Sequence, residues 1–233
     1  MHCPHCSSIN KIVKNGFTSY KIQKYFCKNC RKQFVDRRFL AYKKPNNQKK
    51  RDAEIIRHLE RGSGIRDIEY IMQISKSVIL NLISRVSLII KPKQKNYKSI
   101  QVDELWSFVK KKKNKKWMIY AYCTETKEIL AVVFGKRDAS TVQKLYDKLQ
   151  ALSIEIQEYC TDTWDSFIKI FKNENHKIGK NFTKAIEGVN CLFRHRVSRL
   201  VRRTCCFSKK LENHINAIGL VIAGINLGTA WSS

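Results

Sequence analysis

Acid is what this sequence has least of. Asp and Glu number 19 against 46 Lys and Arg, giving a formal net charge of +27 and a pI near 9.9. A folded domain so charged repels itself unless a polyanion neutralises it, and no polyanion is commoner than nucleic acid. Arg and Lys cluster along the chain rather than spread, which favours nucleic acid as partner over a merely solvated basic surface. Long apolar runs are also missing. No uncharged, wholly apolar stretch reaches the ~18 residues of a membrane helix, and the N-terminus reads MHCPHC rather than a basic, then apolar, leader. The nearest approach, INAIGLVIAGINLGTAW (215–231), carries Asn and Gly and reads as a buried helix closing a core. The expected location is cytoplasmic, with the nucleoid, and no membrane partner is expected. Nine cysteines in such a chain are disfavoured as disulfides.

What is present suffices for a core, with 43% hydrophobic residues, eleven Phe, nine Tyr and four Trp. Composition and pattern divide the chain into a module at 1–42, a polar linker at 43–51, a helical segment at 52–92 and a larger domain at 97–233. In the last, SIQVDELWSFV, KKWMIYAYC and EILAVVFG are successive strand candidates. STVQKLYDKLQAL then repeats apolar residues at helical spacing, and IEIQEYC is a fourth strand candidate. The order β-β-β-α-β-α followed by a long basic helix predicts an α/β fold, one mixed sheet with flanking helices.

The first module holds Cys3-Pro4-His5-Cys6 and Cys27-Lys28-Asn29-Cys30. Two CxxC turns brought together by a hairpin supply four thiolates for tetrahedral zinc, the pattern of a small zinc ribbon. A redox pair would explain only one of them. One structural Zn²⁺ on Cys3, Cys6, Cys27 and Cys30 is expected, supplying folding energy that forty residues cannot bury as core. In the segment that follows, three apolar helical stripes are broken at Gly62-Ser63-Gly64 and restarted at Ser75. This pattern suits a helix-turn-helix, with Ser75, Lys76, Ser77 and Asn81 the expected groove contacts; the competing reading is a plain helical hairpin packed on the next domain.

Asp103 interrupts the first strand, and Asp162 ends the fourth, where CTDTWDSF turns into a helix. If strands one and four are neighbours, the two carboxylates meet and form a site for a divalent cation such as Mg²⁺. Asp165, three residues later, is expected to cap that helix or face solvent. Strand alternation sets Glu104 on the face opposite Asp103. Glu187 opens a helix dense in Arg, and seven residues fall about 20° short of two turns, so Arg194 lies nearly below it with Asn190 on the same face. Arg194 and Asn190 are expected to meet DNA there, and Arg199, Arg202 and Arg203 to anchor its backbone. The cysteines at 123, 160, 191, 205 and 206 lack ligand spacing and read as core or incidental thiols.

Asp103 followed by Glu-Leu-Trp, Asp162 followed by Thr-Trp, and Glu187 with Asn190 and Arg194 behind it resemble the DDE triad of the insertion-sequence-one family of bacterial transposases. The trailing RLVRRTCCFSKKLENH and the N-terminal cysteine motifs are similar to that family as well. The resemblance implies a ribonuclease-H-like catalytic domain in which Asp103, Asp162 and Glu187 hold two Mg²⁺ (or Mn²⁺) ions. It also implies recognition of double-stranded DNA at the terminal repeats, cleavage and strand transfer into target DNA, and a homo-oligomer assembled on the ends. The rival class is a non-catalytic, sequence-specific DNA-binding repressor of the element.

Overall fold

Short runs of β-prone residues between cysteine turns build the first of two compact units, Met1–Glu54 and Ile55–Ser233. The computed structural model describes residues 2–18, 22–35, 45–85, 89–200 and 207–229; Arg202, Arg203, Cys205 and Cys206 lie outside them. In the first unit β1 (Ile12–Phe17), β2 (Gln23–Cys27) and β3 (Gln33–Val35) form an antiparallel sheet in that order. Among the described residues its buried core is only Cys3, Cys27 and Phe34, with Tyr25 stacked on Phe34. So small an apolar core needs another source of stability.

The polar stretch read as a linker is helical from Pro45, in α1 (Pro45–Glu60). Proline suits the first helical position, where its missing N–H would have had no partner and its fixed φ is already helical. Helices α2 (Ile65–Met72) and α3 (Lys76–Ser84) follow. Ile55, Ile68, Ile79 and Ile83 close this segment around Leu220, so it packs on the C-terminal helix of the second unit. At the α1–α2 turn Gly62 has φ +90°, and a Cβ there would lie 2.9 Å from the carbonyl oxygen of His195. Only glycine fits both the dihedral and the contact.

The second unit's sheet contains β5 (Ile100–Phe108), β6 (Lys115–Cys123) and β7 (Glu128–Gly135), an antiparallel meander as the aromatic and β-branched runs predicted. Ahead of it, β4 (Asn96–Tyr97) pairs with β8 (Glu155–Ile156) in a separate ribbon. The expected fourth strand is therefore two pieces. Only β9 (Tyr159–Thr161) enters the main sheet, parallel to β5, and an unforeseen β10 (His176–Ile178) pairs with β9. The order is β10-β9-β5-β6-β7, a mixed sheet with first and fourth strands adjacent.

Helices cover both faces. On one, α4 (Ala139–Gln150) and α5 (Asp165–Ile170) bury Val142, Leu145, Leu149, Phe167 and Phe171 against Val102, Ile119 and Ala121. On the other, α6 (Lys184–Arg196) and α7 (Leu211–Asn226) bury Val189, Phe193, Ile218 and Ile222 against Leu105, Met118 and Tyr120. The apolar C-terminal run thus closes a core, as its sequence suggested. No helix among the described residues is long and apolar enough to cross a membrane.

Candidate functional site

Because β9 is short, it pairs with β5 only at Ile100 and Gln101. Past that point no strand among the described residues pairs with this side of β5, and carboxylates gather there. Asp103, Glu104 and Asp162 each place an oxygen within 4.8 Å of the others. Asp162 follows β9 directly and its Oδ1 accepts the Trp164 N–H at 3.0 Å, which orients the carboxylate. Asp103 accepts the Glu104 N–H on Oδ1 at 2.7 Å and the Asn190 Nδ2 on Oδ2 at 2.6 Å. Burial pushes the Asp103 carboxyl up to about 6, with the Glu104 and Asp162 charges adding and its two hydrogen bonds opposing. Burial likewise raises Glu104, against the pull of Arg137. Three acids so close repel one another when ionised, and a proton or a cation among them relieves it.

Asn190 was expected to face DNA. It is buried instead, its Nδ2 on Asp103 and its Oδ1 accepting the Tyr120 hydroxyl at 2.9 Å. Such a partner fixes a ligand's carboxylate from behind. Glu187 lies one turn earlier in α6, exposed, and does not join the cluster. Arg194 is exposed farther along the same helix. Arg199, expected on DNA, is half-buried with Nη1 donating to the Asn213 carbonyl at 2.9 Å, so its guanidinium braces the start of α7. Asp165 is exposed in the first turn of α5, outside the cluster.

The residue the sequence did not single out is Arg137. Its Nε and Nη2 donate to Glu104 Oε1 at 2.9 and 2.6 Å, and its guanidinium carbon lies 4.3 Å from the Trp164 ring centre and 5.3 Å from that of Trp117. Nothing local marks Arg137 among so many basic residues; only the fold brings it to Glu104.

The four N-terminal sulfurs also converge, all within 4.8 Å, with Cys3–Cys30 at 3.6 Å and Cys6–Cys27 at 3.7 Å. Tetrahedral zinc with bonds of ≈ 2.3 Å needs sulfurs about 3.8 Å apart, so the donor set fits. The residue after each knuckle, Ser7 and Arg31, takes positive φ, turning both loops back in the same way. In the second unit Ser75, Lys76, Ser77 and Asn81 are all exposed. The Ser75 hydroxyl pairs with that of Ser77 at 2.8 Å instead of capping α3, and Lys76 pairs with Glu69 at 3.0 Å.

A mixed α/β domain with acids gathered where a short parallel strand ends is the class that fold and site define. Residues 98–226 match the IS1 transposase family. The chain is 38% identical over 122 residues to the insertion element iso-IS1n protein InsB of Shigella dysenteriae, covering 52% of this chain and 92% of that one. To the insertion element IS1 protein InsB of Shigella flexneri it is 34% identical over 119 residues, 51% of this chain and 89% of that one. The chain belongs to the IS1 transposase family. Among solved structures, the simian T-cell lymphotropic virus intasome in complex with PP2A regulatory subunit B56 gamma aligns with 68% of this chain and 60% of its own at 12% identity. Its TM-score of 0.34 is too low for any inference from that likeness.

Proposed function

We propose that this transposase cleaves DNA at the ends of its insertion element and joins those ends to target DNA by divalent-cation-dependent phosphoryl transfer, on a ribonuclease-H-like domain. The observation that carries this reading is the meeting of Asp103 and Asp162 across adjacent strands. Asp103, Asp162 and Glu187 would hold Mg²⁺ or Mn²⁺. Bound there, the ions would supply Lewis acidity to the scissile phosphate and lower the pKa of the attacking water or 3′ hydroxyl.

The chain's own residues set the stage for that chemistry. Asn190 fixes the Asp103 carboxylate from behind, and the Trp164 N–H orients that of Asp162. Arg194, exposed on the helix of Glu187, suits bidentate contact with the phosphate. The cysteine module is a zinc ribbon, and α2–α3 a helix-turn-helix whose exposed Ser75, Lys76, Ser77 and Asn81 reach the groove of the terminal repeat. Two ends must be brought together, so a homo-oligomer forms on DNA.

Incubating the protein with linear DNA carrying the element's ends and Mg²⁺ tests the reading. Cut ends and joined products are expected. Specific binding of the ends with neither product would leave a repressor and overturn it.

A further inference from the structure

We propose that Glu104 is a cation ligand, completing with Asp103 and Asp162 a three-carboxylate site that forms before DNA binds and without Glu187. This rests on the cation-dependent reading of the site given above.

Alternation along β5 sets Glu104 on the opposite face from Asp103, where a carboxylate would ordinarily be a surface acid or half of a structural ion pair. The geometry is different. Its side chain is only 9% exposed. Both hydrogen bonds from Arg137 fall on Oε1, and Oε2 is buried with no hydrogen-bond partner among the described residues. A buried carboxylate oxygen left without a donor is costly, and here it belongs to a residue that already shares a 4.8 Å cluster with two more acids. A proton or a cation would relieve both this and the repulsion among the three; the proton does so by removing a charge, the cation with all three carboxylates ionised, the form that the Arg137 contact on Oε1 favours.

Arg137 has the place expected of a partner that orients a ligand. It grips one oxygen through a two-pronged contact while Trp164 and Trp117 flank its guanidinium, so Glu104 is held with the other oxygen free. Asp103 and Asp162 are oriented in the same manner, by Asn190 and by the Trp164 N–H. Each of the three carboxylates therefore has its own fixed donor. Glu187 has no comparable position, being exposed and apart from the cluster.

The test is Mn²⁺ binding to the full-length, zinc-loaded protein without DNA, followed by electron paramagnetic resonance. E104Q and D162N should each weaken the tightest site by about tenfold or more, and D165N should leave it unchanged. Loss in D162N but not in E104Q overturns the role of Glu104 while sparing the cation site. Loss in neither overturns the site itself, and with it the basis of the proposed function. Loss in E187Q with E104Q unaffected would give the third position to Glu187. If E104Q fails to fold because Arg137 is left unpaired, the double variant E104Q/R137M removes both partners, a gentler change. It should show the same loss, and normal Mn²⁺ affinity in it would equally overturn the inference.

Discussion

Asn190 and Asp103 are joined at 2.6 Å across the space between helix α6 and strand β5, and the same amide accepts the Tyr120 hydroxyl. A single side chain thus links helix α6, the central strand and its neighbour β6. Replacing Asn190 with Ala should reduce cleavage roughly 10–100-fold, the usual cost of losing the partner of a metal ligand. End-binding should be unaffected in a mobility-shift assay. Loss of end recognition would return Asn190 to the DNA interface.

D103N, D162N and E187Q should each abolish cleavage of end-bearing DNA while sparing its recognition, whereas D165N should cut normally. Product analysis on the same DNA reads all four. A variant of the first three that still cuts at the normal rate has been misassigned.

Arg194 and Arg199 should separate cleanly. Arg194 is exposed, and R194A is expected to slow cleavage at saturating DNA by about 100-fold through a misplaced phosphate, with an unchanged melting temperature. Arg199 is tied to the Asn213 carbonyl, so R199A should cost about 1.5–3 kcal/mol of stability, read by urea unfolding. Equal losses of stability in both would make them alike.

His214 is buried at the start of α7 with Nδ1 3.0 Å from the Ser208 hydroxyl. Burial, reinforced by the charge of Arg199, lowers it from 6.5 to about 4. The unfolded chain then binds the extra proton between those values, so stability is full above pH 6.5 and declines as pH falls towards 4. This residue alone should remove roughly 2 kcal/mol between pH 7 and pH 5. Urea midpoints at the two pH values, compared with those of H214Q, isolate it; an equal pH response in the variant would refute the assignment.

Stripping the four-cysteine site with a chelator should unfold residues 2–35 and leave the second unit's sheet folded, because the first unit has almost no apolar core. Amide exchange resolves the two. Full protection of the N-terminal amides after chelation would mean that the module folds without metal.

The sequence disclosed the strands and helices whose pattern is local. IQVDELWSF, KKWMIYAYC and EILAVVFG are apolar and β-branched enough to be legible, and so is the C-terminal helix. The ribbon of β4 with β8, and β10, are only two or three residues long and owe their existence to distant partners. Asp103 and Asp162 could be paired in advance because only strand adjacency was needed. Glu104 could not, since alternation fixes faces within a paired sheet and says little where an edge lets both faces reach round. Asn190 was read as a DNA contact for sharing a helical face with Glu187 and Arg194, and Arg199 for lying in a basic stretch. Their burial depends on Tyr120 and Asn213, which no local pattern reveals.

Helix α7 is shared property. Leu220 closes the core of α1–α3, while Ile218, Val221, Ile222 and Ile225 close the sheet, and Asn226 exchanges two hydrogen bonds with the backbone of Ile129 in β7. A polypeptide ended before Leu211 would therefore lack the cover of both at once. A premature stop upstream would leave uncovered the apolar face that residues 55–85 turn to Leu220, and such a fragment is expected to aggregate or be degraded.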